Sequence, residues 1–154
     1  MDHKEIIERF YNSFAAFDAE GMISCYHDDI RFEDPAFGPL NGTDAKNMWR
    51  MLVRPGIVVT HSHVTADERT GSADWTAVYT FGNTDKKVVN NIHASFEFRD
   101  GKIIRHTDKF SMRQWARQAL GFKGFLLGGT SFLQQQVRKQ ALAKLAAFTA
   151  EKGK

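Results

Sequence analysis

Residues 30–42 read IRFEDPAFGPLNG, and this stretch decides how the rest of the chain is to be read. Apolar Ile30 and Phe32 alternate with Arg31 and Glu33, a period of two that predicts a strand with one buried face. The strand stops at Asp34-Pro35, because proline has no N–H to give to a ladder and holds the residue before it extended. Asp34 is thereby fixed at a strand end beside Phe32, Pro35 and Phe37, with Gly38-Pro39 expected to turn the chain away. A carboxyl in apolar company is costly to ionise, so its pKa should rise toward the range of a general acid or base. The plainer reading is a turn aspartate, since Asp and Pro both favour turns.

Upstream, Asp2 and Glu5 form a capping-box pattern for a helix whose stripe holds Ile7, Phe10, Phe14 and Phe17, widened by Ile6 and Tyr11. Asp18 caps a shorter helix carrying Met22, Ile23, Cys25 and Tyr26, and His27-Asp28-Asp29 is expected to break it before the strand. Downstream, Thr43 or Asp44 caps a third helix with Ala45, Met48, Trp49 and Leu52 at helical spacing, ended by Pro55-Gly56. The period then switches to two. Strands are predicted over Ile57 to Ala66, Ala73 to Phe81, Val88 to Phe98 and Lys102 to Phe110, with Asp100-Gly101 as a two-residue hairpin signal. Three helices followed by a meander of four strands predict an α+β fold, its helices packed on one face of a curved antiparallel sheet. Beyond it, Ser111 caps a helix, GFKGFLLGG at 121–129 is too rich in glycine for regular structure, and a long helix runs from Thr130 to about Ala150. Its stripe is Leu133, Val137, Ala141, Leu145 and Phe148, with Arg138, Lys139 and Lys144 off it.

The 154 residues are enough for one domain with a real core, and the 42% apolar and 25% charged fractions are ordinary. Thirteen Phe suggest a core or cavity wall of flat apolar surface. A net charge of +3 is too mild to argue for nucleic acid. The lone Cys25 excludes an intrachain disulfide, and the N-terminus MDHKEIIERF has no apolar leader, so the protein is expected in the cytoplasm with no membrane attachment. Nucleotide and serine-hydrolase motifs are absent, and the reading requires no cofactor.

Two constellations could carry chemistry. His106 and Asp108 stand at i, i+2 on one strand face between apolar Ile104 and Phe110, while Arg105, Thr107 and Lys109 occupy the face better suited to water. Facing a cavity, such a pair would perturb each other as proton transfer requires. Exposed, it would be a weak ion pair. His61 and His63 also share a predicted face, but no third ligand follows by spacing, so a sheet outer face or a subunit contact is preferred to a metal site. Tyr26, Trp49, Trp75 and Tyr79 are either core aromatics or the wall of a ligand site.

The run ERFYNSFAAFDAEGMISCYHDDIRFEDPAFG, the DGKIIRH hairpin at 100–106 and the order of elements resemble the nuclear transport factor 2-like superfamily, with its ketosteroid isomerases and SnoaL-like polyketide cyclases. The resemblance covers roughly residues 5–112. It implies a cone of bent sheet around a deep pocket, usually dimeric through the sheet, as a domain over 1–112. The helical extension over 113–154 would pack on that domain or on its dimer mate, with GFKGFLLGG near the pocket mouth. It places Asp34 on the isomerase's general base, Phe10 on its oxyanion tyrosine and Ala94 on its protonated aspartic acid, so both oxyanion donors are missing and authentic steroid isomerisation is not expected. Trp75, Ala77, Tyr79 and Phe110 fall on wall positions, and His106 with Asp108 lies where the cyclases carry their acid–base residue. In the Asp-Arg-Asp pattern of limonene epoxide hydrolase, Asp34 and Asp108 could be two members, but Arg105 has the wrong strand parity.

The candidate site is therefore Asp34, His106 and Asp108 for catalysis, with Phe10, Tyr26, Trp49, Trp75, Tyr79 and Phe110 contacting substrate, and no metal. The expected function is acid–base isomerase, cyclase or lyase chemistry on a hydrophobic carbonyl compound. A non-catalytic module binding an apolar small molecule is the alternative, and a homodimer is the expected assembly.

Overall fold

The computed structural model describes residues 2–121 and 130–152. Helix α1 (His3–Ala15) starts at Asp2, whose carboxyl accepts the Glu5 N–H, and α2 (Ala19–Ile23) starts at Asp18 in the same way. Strand β1 (Tyr26–Asp34) pairs with β2 (Gly38–Asn41), α3 (Thr43–Leu52) follows, and then come β3 (Val58–Ala66), β4 (Thr70–Thr80), β5 (Lys87–Arg99) and β6 (Lys102–Lys109). The remaining described helices are α4 (Met112–Leu120) and α5 (Ser131–Lys152). The six strands form one curved sheet in the order β2-β1-β6-β5-β4-β3. Helix α1 lays Ile6, Ile7, Phe10, Tyr11 and Phe14 on the inner face of this sheet, all of them buried. The α+β class is as expected.

The pairing differs from a plain meander in one respect that matters for the site. β1 runs parallel to β6, in a register that sets Phe32 opposite His106 and Glu33 opposite Thr107. The inner face of β1 holds Ile30, Phe32 and Asp34, as the alternation predicted.

Several local expectations are corrected. His27-Asp28-Asp29 lies inside β1 rather than ending a helix, since Tyr26 already pairs with Ile103 and the Cys25 carbonyl accepts the Ile103 N–H at 2.8 Å. Tyr26 is accordingly a strand residue. Gly38-Pro39 does not lead the chain away but opens β2, and Pro39 is tolerated because β2 is an edge strand. Helix α3 is preceded by Gly42 at φ 52 with no side-chain cap, in place of Thr43 or Asp44. A register shift between Glu97 and Phe98 puts Ile103, not Ile104, on the face of His106. The bulge between Ser62 and Thr65 separates the two histidines of β3: His61 turns inward to Glu8 at 2.6 Å and stacks on Tyr11, while exposed His63 pairs with Asp74. His61 is thus a helix contact and not part of an outer-face pair.

Helix α5 turns its apolar stripe toward α3. Leu145 is buried in the core, Leu133, Val137, Ala141 and Phe148 are half-buried, and the helix packs on α3. Arg138 departs from the expected exposed face: with Gln134 it reaches the Pro35 carbonyl, and its guanidinium lies so close to Gly38, at φ +71, that a Cβ there would meet Arg138 Nε at 2.9 Å. The segment expected at the pocket mouth, GFKGFLLGG, falls outside the described residues from position 122 to 129.

Candidate active site

The site follows from the β1–β6 register. Because Phe32 faces His106 on parallel strands, the next inward residues of the two strands are Asp34 and Asp108. Neighbouring strands lie about 4.8 Å apart, so two carboxyls are set side by side. Both line an apolar cavity of about 390 Å³, a size suited to a small-molecule ligand. Its walls include Phe37, Trp49, Trp75, Tyr79, Phe110 and Trp115.

Asp34 keeps its turn role as well. Its Oδ1 accepts the Phe37 N–H at 2.6 Å, closing the Asp34-Pro35-Ala36-Phe37 turn. Burial pushes its carboxyl up to about 7, and the neighbouring charge of Asp108 adds to this, against the backbone N–H groups of Phe37 and Ala36 and the Arg138 guanidinium. A carboxyl that is half-ionised near neutrality can take a proton and give it back.

Asp108 ends a chain of buried hydrogen bonds. Trp49 Nε1 donates to Tyr26 Oη at 2.8 Å, and Tyr26 Oη lies 2.7 Å from His106 Nδ1. His106 Nε2 lies 2.9 Å from Asp108 Oδ1, which also accepts Trp75 Nε1 at 3.3 Å. An indole can only donate, so the Tyr26 oxygen accepts from Trp49, and the hydroxyl's own proton is left for His106 Nδ1, its other hydrogen-bond partner. His106 Nδ1 is then an acceptor, Nε2 carries the ring proton, and Asp108 receives it. Burial holds the Tyr26 hydroxyl well above its ordinary pKa, which keeps it protonated in this role.

Of the expected site residues, Asp34, Asp108, Trp49, Trp75, Tyr79 and Phe110 line the cavity. His106, Tyr26 and Phe10 do not. His106 is wholly buried among Phe10, Phe32, Trp49 and Phe96, with both nitrogens engaged, so it acts on the cavity only through Asp108. Tyr26 stands one step further back, and Phe10 packs against Tyr26 and Trp49 in the core. Two cavity residues were not among the expected site: Trp115, inward on its helix by the sequence pattern, whose Nε1 donates to Tyr79 Oη at 2.8 Å, and Asn90 of β5. Asn90 was recoverable by parity, since it stands two residues before inward Ile92. Among the described residues no cluster of His, Cys, Asp and Glu is arranged to hold a metal ion, and no helix is long and apolar enough to cross a membrane.

The sequence profile of the SnoaL-like domain matches residues 7–106. The chain belongs to the SnoaL-like family. No curated protein matches it. Among solved structures, this SnoaL-like chain is similar to a Xanthomonas campestris pv. campestris protein provisionally named a polyketide cyclase, at 18% identity and TM-score 0.62 over 74% of this chain and 93% of that one. An LEH-like epoxide hydrolase from M. tuberculosis superposes at 20% identity and TM-score 0.60 over 84% and 92%. A Burkholderia pseudomallei NTF2-like protein of unknown function does so at 15% identity and TM-score 0.66 over 78% and 99%. These likenesses establish the NTF2-like fold of this SnoaL-like protein and place enzymes among the proteins that share it.

Proposed function

We propose that this SnoaL-like protein is an acid–base enzyme of the isomerase, cyclase or lyase type, acting on a hydrophobic carbonyl compound held in the aromatic cavity. The observation that carries the reading is Asp34, a carboxyl poised near neutrality beside a second carboxyl in an apolar chamber. Asp34 removes a proton from the carbon next to the carbonyl and returns it elsewhere on the substrate. Asp108, anchored by His106 and Trp75, does not rotate away, and its charge sustains the proton affinity of Asp34. His106 and Tyr26 are positioning residues in this scheme. The cavity wall is mostly apolar, and such a low-dielectric lining strengthens the electrostatic interactions inside.

The test needs no knowledge of the product. A panel of cyclic ketones in deuterium oxide is followed by NMR for exchange of the protons next to the carbonyl, with the wild type and with Asp34→Ala and Asp108→Ala. Exchange catalysed by the wild type and lost in Asp34→Ala supports the reading; full exchange in both variants sinks it.

Burial of Phe10 and Ala94, which offer no donor where an isomerase has its oxyanion hole, favours a second reading, a non-catalytic carrier of an apolar molecule. Ligand-dependent thermal stabilisation with no exchange on any ketone would support it. We place two copies in the working assembly, paired through the outer face of the sheet, where Val58 and Val89 are exposed; sedimentation as a monomer at micromolar concentration would count against it.

A further inference from the structure

The cavity holds polar groups that the acid–base scheme does not use. Asn90 is 91% buried by its 9% relative exposure, it lines the cavity, and its side-chain amide has no hydrogen-bond partner among the described residues. Among the described residues the fully enclosed, unpaired side-chain atoms are Tyr11 Oη and Arg138 Nε, so the Asn90 amide keeps access to the cavity, where a bound molecule can pair with it. The register places it. Asn90 pairs with Ala77 of β4, and Tyr79 two residues on pairs with Val88, so Asn90 and Tyr79 are diagonal neighbours on the inner face. Tyr79 Oη accepts the Trp115 indole N–H, which leaves the Tyr79 hydroxyl proton to be donated elsewhere, and it makes no further hydrogen bond to a described residue. Burial raises the pKa of Tyr79, and the nearby Asp34 charge adds to this, so the hydroxyl stays a donor.

Along β5, Asp108 stands at another level of the cavity from Asn90. Asp108 pairs with Ala94 of β5, and Asn90 is four residues along that strand from Ala94, about 13 Å at 3.3 Å per residue. Ile92 and Trp75 fill the wall between the two levels. The β5 wall is therefore polar at Asn90, apolar at Ile92 and acidic at the level of Asp108, while the Tyr79 hydroxyl reaches near enough to Asp34 to feel its charge.

We propose that Asn90 and Tyr79 form a second polar anchor, which selects extended apolar molecules bearing an oxygen function at each end. One oxygen function lies at the Asp34–Asp108 pair, and the other, a carbonyl or hydroxyl, is held by the Asn90 amide and the Tyr79 hydroxyl. The inference rests on the cavity being the ligand site, as the proposed function requires, but it does not depend on turnover. It explains why a polar residue occupies an inward position of β5 between Val88 and Ile92, and what Trp115 contributes by fixing the direction of the Tyr79 hydroxyl.

Calorimetric titration with 4-hydroxybiphenyl and 4,4′-dihydroxybiphenyl tests the anchor. The wild type is expected to bind the diol about tenfold more tightly than the mono-ol, the loss of one hydrogen-bonded oxygen. Asn90→Leu should bring the two affinities to within about twofold, and Tyr79→Phe should narrow the gap while keeping the ring in place, so it decides the matter if Asn90→Leu does not fold. Equal binding of the two compounds by the wild type, or an unchanged preference in a folded variant, overturns the anchor. Binding of neither compound by the wild type overturns the cavity reading and the anchor together. Loss of ketone exchange in Asp34→Ala alongside an unchanged diol preference in Asn90→Leu would retain the acid–base reading and remove only the anchor.

Discussion

Asp34 and Asp108 are neighbours on parallel strands and open into one cavity, yet one is held by a turn and the other by a relay. Asp34 has backbone N–H groups from its own turn and a distant guanidinium. Asp108 has an imidazole and an indole aimed at a single oxygen, backed by Tyr26 and Trp49. A turn that ends an edge hairpin leaves its acid beside the cavity. A strand in the middle of the sheet surrounds its acid with side chains from α3, β1 and β4. The same residue type thus serves two ends: the less supported carboxyl is the one that can change its protonation, and the better supported one stays where it is.

The largest effect should come from breaking this division of labour. If wild-type exchange is measured against pH, its rate should rise through about pH 7 as Asp34 ionises. Asp34→Asn should lower the rate about 10²- to 10⁴-fold and abolish that inflection. Asp108→Asn removes a charge that raises the proton affinity of Asp34, so any remaining activity should show its inflection at lower pH. An inflection that stays in place in Asp108→Asn would mean that the two carboxyls do not feel each other.

The same contrast appears in stability. The Asp34 carboxyl loses its proton near 3.8 in the unfolded chain and near 7 in the folded one. Between those values the folded state holds more protons, so stability falls as pH rises, and the full penalty, at most about 4 kcal/mol, is present above pH 7. Asp34→Asn should therefore unfold at higher urea concentration than the wild type at pH 8, and the advantage should shrink as the pH is lowered through 7 toward 4. An advantage independent of pH would contradict the assignment.

The relay behind Asp108 should respond in the opposite sense. Tyr26→Phe deletes the hydroxyl that links Trp49 to His106 and leaves the indole N–H and the imidazole Nδ1 buried and unpaired. A loss of about 2–3 kcal/mol in urea unfolding is expected, with no rise at alkaline pH. A neutral outcome would show that the relay is not a structural unit.

These contrasts were only partly legible in the sequence. Local periodicity sufficed to put Ile30, Phe32 and Asp34 on one face, to place the Asp100-Gly101 hairpin, and to turn His106 and Asp108 inward, because each rests on neighbours a few residues away. The adjacency of Asp34 and Asp108 is different in kind. It depends on parallel pairing between strands that lie at opposite ends of the sheet-forming region and on a register that no local pattern encodes. The bulges at Ser62–Thr65 and Glu97–Phe98 were invisible for a related reason: one extra residue reverses parity without changing composition, and that took His63 off the face of His61 and exchanged Ile104 for Ile103. Tyr26 was misread because an apolar residue after a short helix continues either pattern. Its role in the relay needed the third dimension.

The smallest expected effect separates the two acids most cleanly, because it comes from outside the family region. Helix α5 lies beyond residues 7–106, and it brings Arg138 to the turn that carries Asp34. The guanidinium opposes the burial that raises Asp34, and its Nε is buried with no partner among the described residues. Arg138→Leu keeps an apolar stem against Gly38 and the turn but removes the charge. The pH inflection of exchange should then move upward by roughly half a pH unit. The melting temperature should change little, since the variant deletes an orphaned buried donor along with one long contact to the Pro35 carbonyl. An inflection that moves down, or stays while the melting temperature collapses, would make Arg138 a strut for α5. An upward shift in a stable protein would make the C-terminal helix part of how Asp34 is tuned, a feature that the turn carries and the relay lacks.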